Sequence, residues 1–429
     1  MTTGRHPRAG AALMALAVGA FAIGTGEFAV MGILPGIATN LSVSIPAAGH
    51  LISAYALGVV VGAPVLVALS TRLSRRTTLI VLMGAFAVGN GLSAVAPGYH
   101  WLLAARFLAG LPHGAYFGVG AVVAGGLVEP SRRARATASM FAGLTIANVI
   151  GVPLSTLAGQ HLGWRVVFAG VGVVGAVASV SVLLALPRES QQEAGLDLRA
   201  ELRAIGRPQV WLALLVATLG GATLFTTYSY IVPMLTRVTG FAPGGVTWLL
   251  VVFGLGMTAG NYLGARLADR VLMPSLYTFL VLEGVVAAVF LLTLHNRIAA
   301  AVTLFVFAAT TFALVPVLQT RIITQADGAP NIASAAIQAA FNVANALGAW
   351  LGGLVIAAGL GYAAPNAVAA ALAGCGLLVA AAAGLLDRRG GGGAGRPTLP
   401  VAGHVPARRG RGQSAEAGGE PGRVGCAER

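Results

Sequence analysis

The chain has 429 residues, of which 57% are hydrophobic and 9% charged, and its net charge is +14. Soluble domains carry about 25% charged residues, so this composition excludes a water-soluble globular protein. Every basic residue is arginine. Without lysine the chain can form neither a Walker-type phosphate loop nor a Schiff base, which argues against ATP hydrolysis. Cys375 and Cys426 suggest no disulfide framework, and the seven histidines show no HExxH pairing. Neither a metal site nor a cofactor is expected.

Apolar stretches of 18 or more residues recur, each long enough for a bilayer core of about 30 Å. The run from Ala11 to Pro35 follows Arg5 and Arg8 and contains Glu27. It is too long for a signal-peptide core and is read as the first span. Residues 1–10 precede it. Spans are predicted at 11–36, 46–70, 77–96, 100–127, 134–159 and 163–186, forming a first six-helix bundle over 11–186. A polar link occupies 187–208. Spans at 209–234, 244–267, 275–294, 298–323, 331–358 and 363–386 form a second bundle over 209–386. The Gly- and Arg-rich tail, 387–429, lacks periodicity and is read as disordered. The predicted class is all-α: twelve transmembrane helices in two pseudo-symmetric six-helix bundles.

Arginine placement tests this map. If the N-terminus is cytoplasmic, the cytoplasmic segments up to Arg389 hold seventeen arginines, and the outer gaps hold only Arg165, Arg237 and Arg297. That asymmetry is the positive-inside rule. It predicts a multi-pass protein of the cytoplasmic membrane with both termini inside.

The two halves also repeat. At an offset of 198, Leu57-Gly58 matches Leu255-Gly256, Gly62 matches Gly260, and Arg72 matches Arg270. At an offset of 197, Ala147-Asn148 and Gly151 match Ala344-Asn345 and Gly348. Two parallel repeats with a cavity between them suit alternating access.

On these residues the chain resembles the major facilitator superfamily over 11–386. Gly62 to Arg76 (GAPVLVALSTRLSRR) is similar to its cytoplasmic signature after span 2, and Gly260 to Arg270 (GNYLGARLADR) is closer still. Leu102, Arg106 and Gly110 resemble its span-4 motif. Gly151-Val152-Pro153 resembles the antiporter motif of proton-coupled exporters, with Ser155-Thr156 replacing the glycine pair that follows. Span 1, GTGEFAVMGILPGIA, looks like the branch of sugar-efflux, nucleoside-efflux and chloramphenicol-resistance proteins. The resemblance implies that Gly62, Thr71, Arg72, Arg76, Asp269 and Arg270 help lock a conformational state, and that Gly151 and Pro153 bend span 5. Thr71 stands where the second copy has Asp269; alternatively these arginines only set topology.

Glu27 is the leading candidate for chemistry. A carboxylate at mid-membrane depth is costly unless protonated, paired or hydrated, so it is a candidate proton carrier. The alternative is a structural carboxyl bonded to neighbouring helices. Arg106 needs a counter-charge or water, and Glu27 is its expected partner; alternatively it snorkels to the interface. His113 is either a hydrogen-bonded structural residue or a proton relay. Gln338, Asn342 and Asn345 share one face of span 11. With Asn148, Tyr228, Tyr230, Phe117 and Phe341 they are candidates for lining a substrate cavity, or for packing between helices. Glu283 lies mid-span 9 without a role.

The expectation is a monomeric transporter, not an enzyme, working on a small molecule and protons in a lipid bilayer. Its leading mechanism is export of a drug, sugar or nucleoside by proton exchange. A proton-independent facilitator or importer is the alternative. A membrane-embedded receptor or enzyme would need a signalling domain or a nucleophile cluster, and neither is seen in the sequence. No nucleic-acid partner is expected for the basic tail.

Overall fold

The computed structural model describes residues 7–70, 73–187, 207–326 and 330–390. Residues 1–6, most of the link 187–208, Thr71, Arg72 and the tail beyond residue 390 lie outside the described residues.

The described residues form long helices in the expected order. The first half contains α1 (Pro7–Asn40), α2 (Ile45–Ser70), α3 (Arg75–Ala94) and α4 (Tyr99–Gly126). In α5, Arg133–Ile146 runs through a π-helical turn, Ala147–Gly151, into Val152–Leu162. α6 is Trp164–Ala185. The second half begins with α7 (Pro208–Tyr228), extended by Ile231–Arg237. Pro243–Thr293 is one continuous helical segment that bends at Val271 (φ −144°, ψ 64°). It supplies α8 (243–270) and α9 (272–293). α10 (Arg297–Gln325), α11 (Pro330–Ala357) and α12 (Pro365–Gly390) complete the described residues.

Eleven described segments are long and apolar enough to cross a membrane, Pro243–Thr293 counted once. Its bend divides it into α8 and α9, which gives twelve such helices among the described residues. Two expectations need correction. Spans 8 and 9 are not separated by a loop: the chain turns at one residue between Arg270 and Pro274. Span 7 is not continuous over 209–234, because the helix breaks at Ser229–Tyr230 before resuming.

The sequence repeat reappears as repeated contacts. A Cβ on Gly58 or Gly62 of α2 would strike the carbonyls of Phe107 and Leu111 on α4. A Cβ on Gly256 or Gly260 of α8 would strike those of Phe305 and Ala309 on α10. All four partner pairs are 198 residues apart. Glycine is required at these positions because the helix backbones touch there. Gly62 is therefore a packing residue of the α2–α4 crossing.

The apolar core is divided unequally. Call the face where α1 begins the near face, and the face of the turn at 41–44 the far face. One core cluster draws on both halves, with Ile33, Leu34 and Ile37 of α1 against Ile231, Met234 and Leu235 beyond the α7 break. A second is confined to the first half and a third to the second half. The halves thus share a core toward the far face and keep separate cores toward the near face.

Candidate functional site

Two glycines fix the position of Glu27. On one side of α1, a Cβ on Gly24 would lie 3.0 Å from the Ala147 side chain on α5. On the other, a Cβ on Gly26 would lie 2.9 Å from Phe86 and 3.0 Å from Val171. α1 is therefore gripped by helices of its own half, and Glu27 points toward the other half. Glu27 is buried, 8% exposed as a residue. Oε1 accepts a hydrogen bond of 3.0 Å from Nδ2 of Asn345 on α11. The acid does not face hydrocarbon.

Arg106 is fully buried, so it does not snorkel to the interface. It does not hydrogen-bond Glu27 either, contrary to expectation. Its Nη2 donates to the backbone carbonyl of Gly26 at 3.0 Å. Its guanidinium carbon sits 4.3 Å from the centre of the Tyr55 ring and 5.2 Å from that of Phe168. The reason is geometric. Consecutive residues diverge by about 100° around a helix, so Arg106 meets the backbone at Gly26 while the Glu27 side chain leaves toward α11. Nε and Nη1 of Arg106 have no hydrogen-bond partner.

Tyr55, which the sequence did not single out, joins Arg106 to His113. Its hydroxyl is hydrogen-bonded with His113 Nδ1 at 3.2 Å. The His113 ring lies 5.2 Å from Phe117, and Phe117 stacks on Phe141 at 5.0 Å. Arg106, Tyr55, His113 and Phe117 thus form a continuous buried file within the first half. The sequence signal for Tyr55 was an aromatic residue with a polar tip deep in a span.

Several residues expected to line a cavity are enclosed by packing. Tyr228 stacks on Phe253 of α8 with ring centres 4.1 Å apart, and lies 6.1 Å from Phe28 of α1. Phe28 stacks on Phe225 at 6.2 Å. Tyr230 is fully buried, donates to the carbonyl of Ala349 on α11 at 2.7 Å, and packs against Gly49 of α2. It wedges the halves together on the far side and does not line a cavity. Asn148 and Asn342 donate to Leu144 O and Gln338 O, one turn back on their own helices, and each leaves its Oδ1 unpartnered. Gln338 and Phe341 are half-buried.

The family model described as Major Facilitator Superfamily matches residues 16–336. The chain belongs to the major facilitator superfamily. It is 47% identical over 367 residues to the inner membrane transport protein YdhP of Escherichia coli (strain K12), covering 86% of this chain and 94% of that protein. It is 38% identical over 376 residues to a chloramphenicol resistance protein of Streptomyces lividans, covering 86% and 94%. The fold matches the inward-facing, occupied structure of a bacterial homologue of the human lysosomal transporter Spinster. That match has TM-score 0.68 and 17% identity, over 90% of this chain and 98% of that one. The protein is thus a multi-pass membrane transporter of small solutes.

The remaining motif residues of the transporter fall into two groups. A Cβ on Gly151 would strike the Thr25 hydroxyl of α1. Pro153 has no N–H for the helix, and the π-helical turn directly before it absorbs that lost bond. On the near face, Arg76 donates to the carbonyl of Leu183 on α6. Asp269 and Arg270 are exposed beside the bend at Val271. Glu283 is fully buried on α9 with both carboxylate oxygens unpartnered. A Cβ on Gly220 of α7 would lie 3.8 Å from its Oε2.

Proposed function

We propose that this transporter exports a small amphipathic organic molecule of the chloramphenicol type in exchange for protons, with Glu27 as the proton carrier. The observation that carries the reading is the bond between Glu27 and Asn345. It places the one acid of α1 at the boundary of the two halves, tied to the half that must move. An acid that gains and loses a proton there changes the contact between the halves, and so biases one packing of the bundle over another.

The arginine asymmetry supports a cytoplasmic near face. The shared core on the far side and the separate cores on the near side then describe a transporter closed to the outside. Substrate enters between the halves from the cytoplasm. Protonation of Glu27 from outside and its release inside drive the reverse swing. Arg106 holds a fixed positive charge next to the acid and favours proton release once water reaches it. Chloramphenicol resistance in the Streptomyces relative supports an aromatic, drug-sized substrate, and the aromatic group around Tyr228 offers it a surface when the halves part.

The test is chloramphenicol transport into everted vesicles under an imposed pH gradient. Wild type accumulates the drug when the lumen is acid, and Glu27→Gln loses both the gradient dependence and the pH dependence. Gradient-driven accumulation by Glu27→Gln at the wild-type rate refutes the proton role. Accumulation that ignores the gradient in both proteins identifies a facilitator.

A further inference from the structure

A cavity of about 490 Å³ lies at the far face and is walled by both halves. Thr39, Val43 and Ile45 line it from the α1–α2 turn. Arg237, Ile356 and Tyr362 line it from the second half. Its size falls within the range of small-molecule pockets, about 300–1,000 Å³. It plays no part in the site around Glu27.

Its charge is positive, and no carboxylate shares the face. The far-face stretches 37–50, 95–101, 159–166, 235–245, 294–299 and 357–366 contain no aspartate or glutamate, and their arginines are Arg165, Arg237 and Arg297. Arg165 donates to Asn40 Oδ1 and to the carbonyl of Ala96, at 2.9 and 3.0 Å. Arg297 donates to the carbonyl of Gly240 at 2.7 Å. Arg165 ties three far-face segments together, and Arg297 ties two. Arg237 instead lines the cavity, donating from Nη1 to the Tyr362 hydroxyl at 2.8 Å with its guanidinium 5.0 Å from that ring. Its partner there, Tyr362, is neutral and offers a hydroxyl oxygen and a ring face. An exposed cation with no carboxylate on its face, beside the hydroxyls of Thr39 and Ser44 and the apolar side chains of Val43, Ile45 and Ile356, has the chemistry to hold an anion attached to a small apolar body.

We propose that this cavity binds an amphipathic phosphate or carboxylate, its anionic group on Arg237 and its apolar body between Val43, Ile45 and Ile356. Both halves contribute walls, so a bound molecule bridges them on their closed side. Alternating access requires the halves to part there, so occupancy holds the transporter closed to the outside. That consequence rests on the function proposed above; the binding itself does not. Two sources share this chemistry: a soluble organic anion and the headgroup of an anionic phospholipid in the outer leaflet.

The test uses the full chain in phosphatidylcholine nanodiscs, without a proton gradient, and phenyl phosphate as probe. Inorganic phosphate and phenol separate the charge from the apolar body. Phenyl phosphate binds wild type saturably and more tightly than either fragment. Arg237→Gln weakens it about tenfold or more, as expected for loss of a charge-assisted contact. Ala357→Phe, which fills the cavity from its rim, abolishes binding while Arg237 stays in place. Phosphatidylglycerol nanodiscs decide the source: competition with phenyl phosphate assigns the site to a lipid headgroup, and no competition assigns it to a soluble anion. Equal affinity in wild type and Arg237→Gln, or no saturable binding in wild type, overturns the site. Binding without inhibition of efflux keeps the site and overturns only its locking role.

Discussion

Gly254 of α8 lies against the backbone of Asn148 in the π-helical turn of α5, so close that a Cβ on it would sit 2.6 Å from the Asn148 carbonyl oxygen. The two residues belong to opposite halves, and this is a backbone-to-backbone crossing between them. The π-helical turn itself forms where Pro153 deprives the helix of a donor. The kink and the inter-half contact are thus one feature.

A side chain at Gly254 therefore separates the halves without disturbing either bundle's own core. Gly254→Leu is expected to cut chloramphenicol efflux at least tenfold while the protein still folds and reaches the membrane. Gly118→Leu is the control, since a Cβ there meets nothing within 4 Å. Efflux rates of the two variants at matched membrane abundance check this. Equal rates would show that α5 and α8 need no close contact.

Arg106 makes one directional bond, to Gly26 O, and two contacts with aromatic faces. A planar guanidinium can do all three at once, and a lysine ammonium cannot. Charge alone is not what the position selects. Arg106→Lys is expected to lose about 1.5–3 kcal/mol of stability, the scale of a hydrogen bond to a charged group. It should also reduce gradient-driven efflux by tenfold or more. Thermal unfolding in detergent and vesicle transport read the two effects separately. Wild-type values for both in Arg106→Lys would restore a purely electrostatic role.

Much of this fold is legible in the sequence because lipid imposes simple demands. An unbroken apolar run of about 20 residues spans as a helix, which pairs its backbone within one segment, whereas barrel strands alternate, and the α2–α4 and α8–α10 glycines announce their crossings by recurring at one offset. The break in α7 is not legible: Ser229 and Tyr230 are ordinary helix residues, and Tyr230 leaves the helix for a carbonyl on α11. The turn between α8 and α9 carries Arg270 and Pro274, which suggest a loop, yet one residue suffices. Glu27 stands out as an acid in a span, but Asn345 lies 318 residues away. Arg106 was matched to Glu27 by charge, whereas the structure decides by direction and gives the arginine to Gly26.

Glu283 makes the opposite case to Glu27: it is as deeply buried, but neither oxygen has a partner. A buried polar group without a hydrogen bond costs about 1–3 kcal/mol, and an apolar side chain of similar shape removes that cost. Glu283→Met is therefore expected to raise the thermal unfolding midpoint and to leave gradient-driven efflux within about twofold of wild type. Gly220→Ala, which narrows the space beside Oε2, should not reproduce the gain. A loss of efflux in a folded, stabilised Glu283→Met would give this carboxyl a working role that its surroundings do not supply.

Asn345 is where the two halves report on each other. Its Nδ2 holds Glu27, its Oδ1 is buried without a partner, and its repeat counterpart Asn148 bonds only within its own helix. Asn345 is thus the half of the repeat pair that has turned outward to the opposite bundle. Asn345→Leu removes the donor and leaves the carboxylate of Glu27 facing an apolar group, a loss of about 1.5–3 kcal/mol from the state in which this bond joins the halves. Applied to the balance between two states, that is roughly tenfold to a hundredfold. The expected result is a population shifted away from this state, read as increased labelling of Ser53→Cys on α2, whose hydroxyl donates to the carbonyl of Ala346 beside Asn345. Glu27→Gln should shift it less, because a neutral amide carbonyl still accepts from Asn345. Equal labelling in Asn345→Leu and wild type would mean that the bond does not stabilise this state, and Glu27 would have to communicate with the second half by another contact.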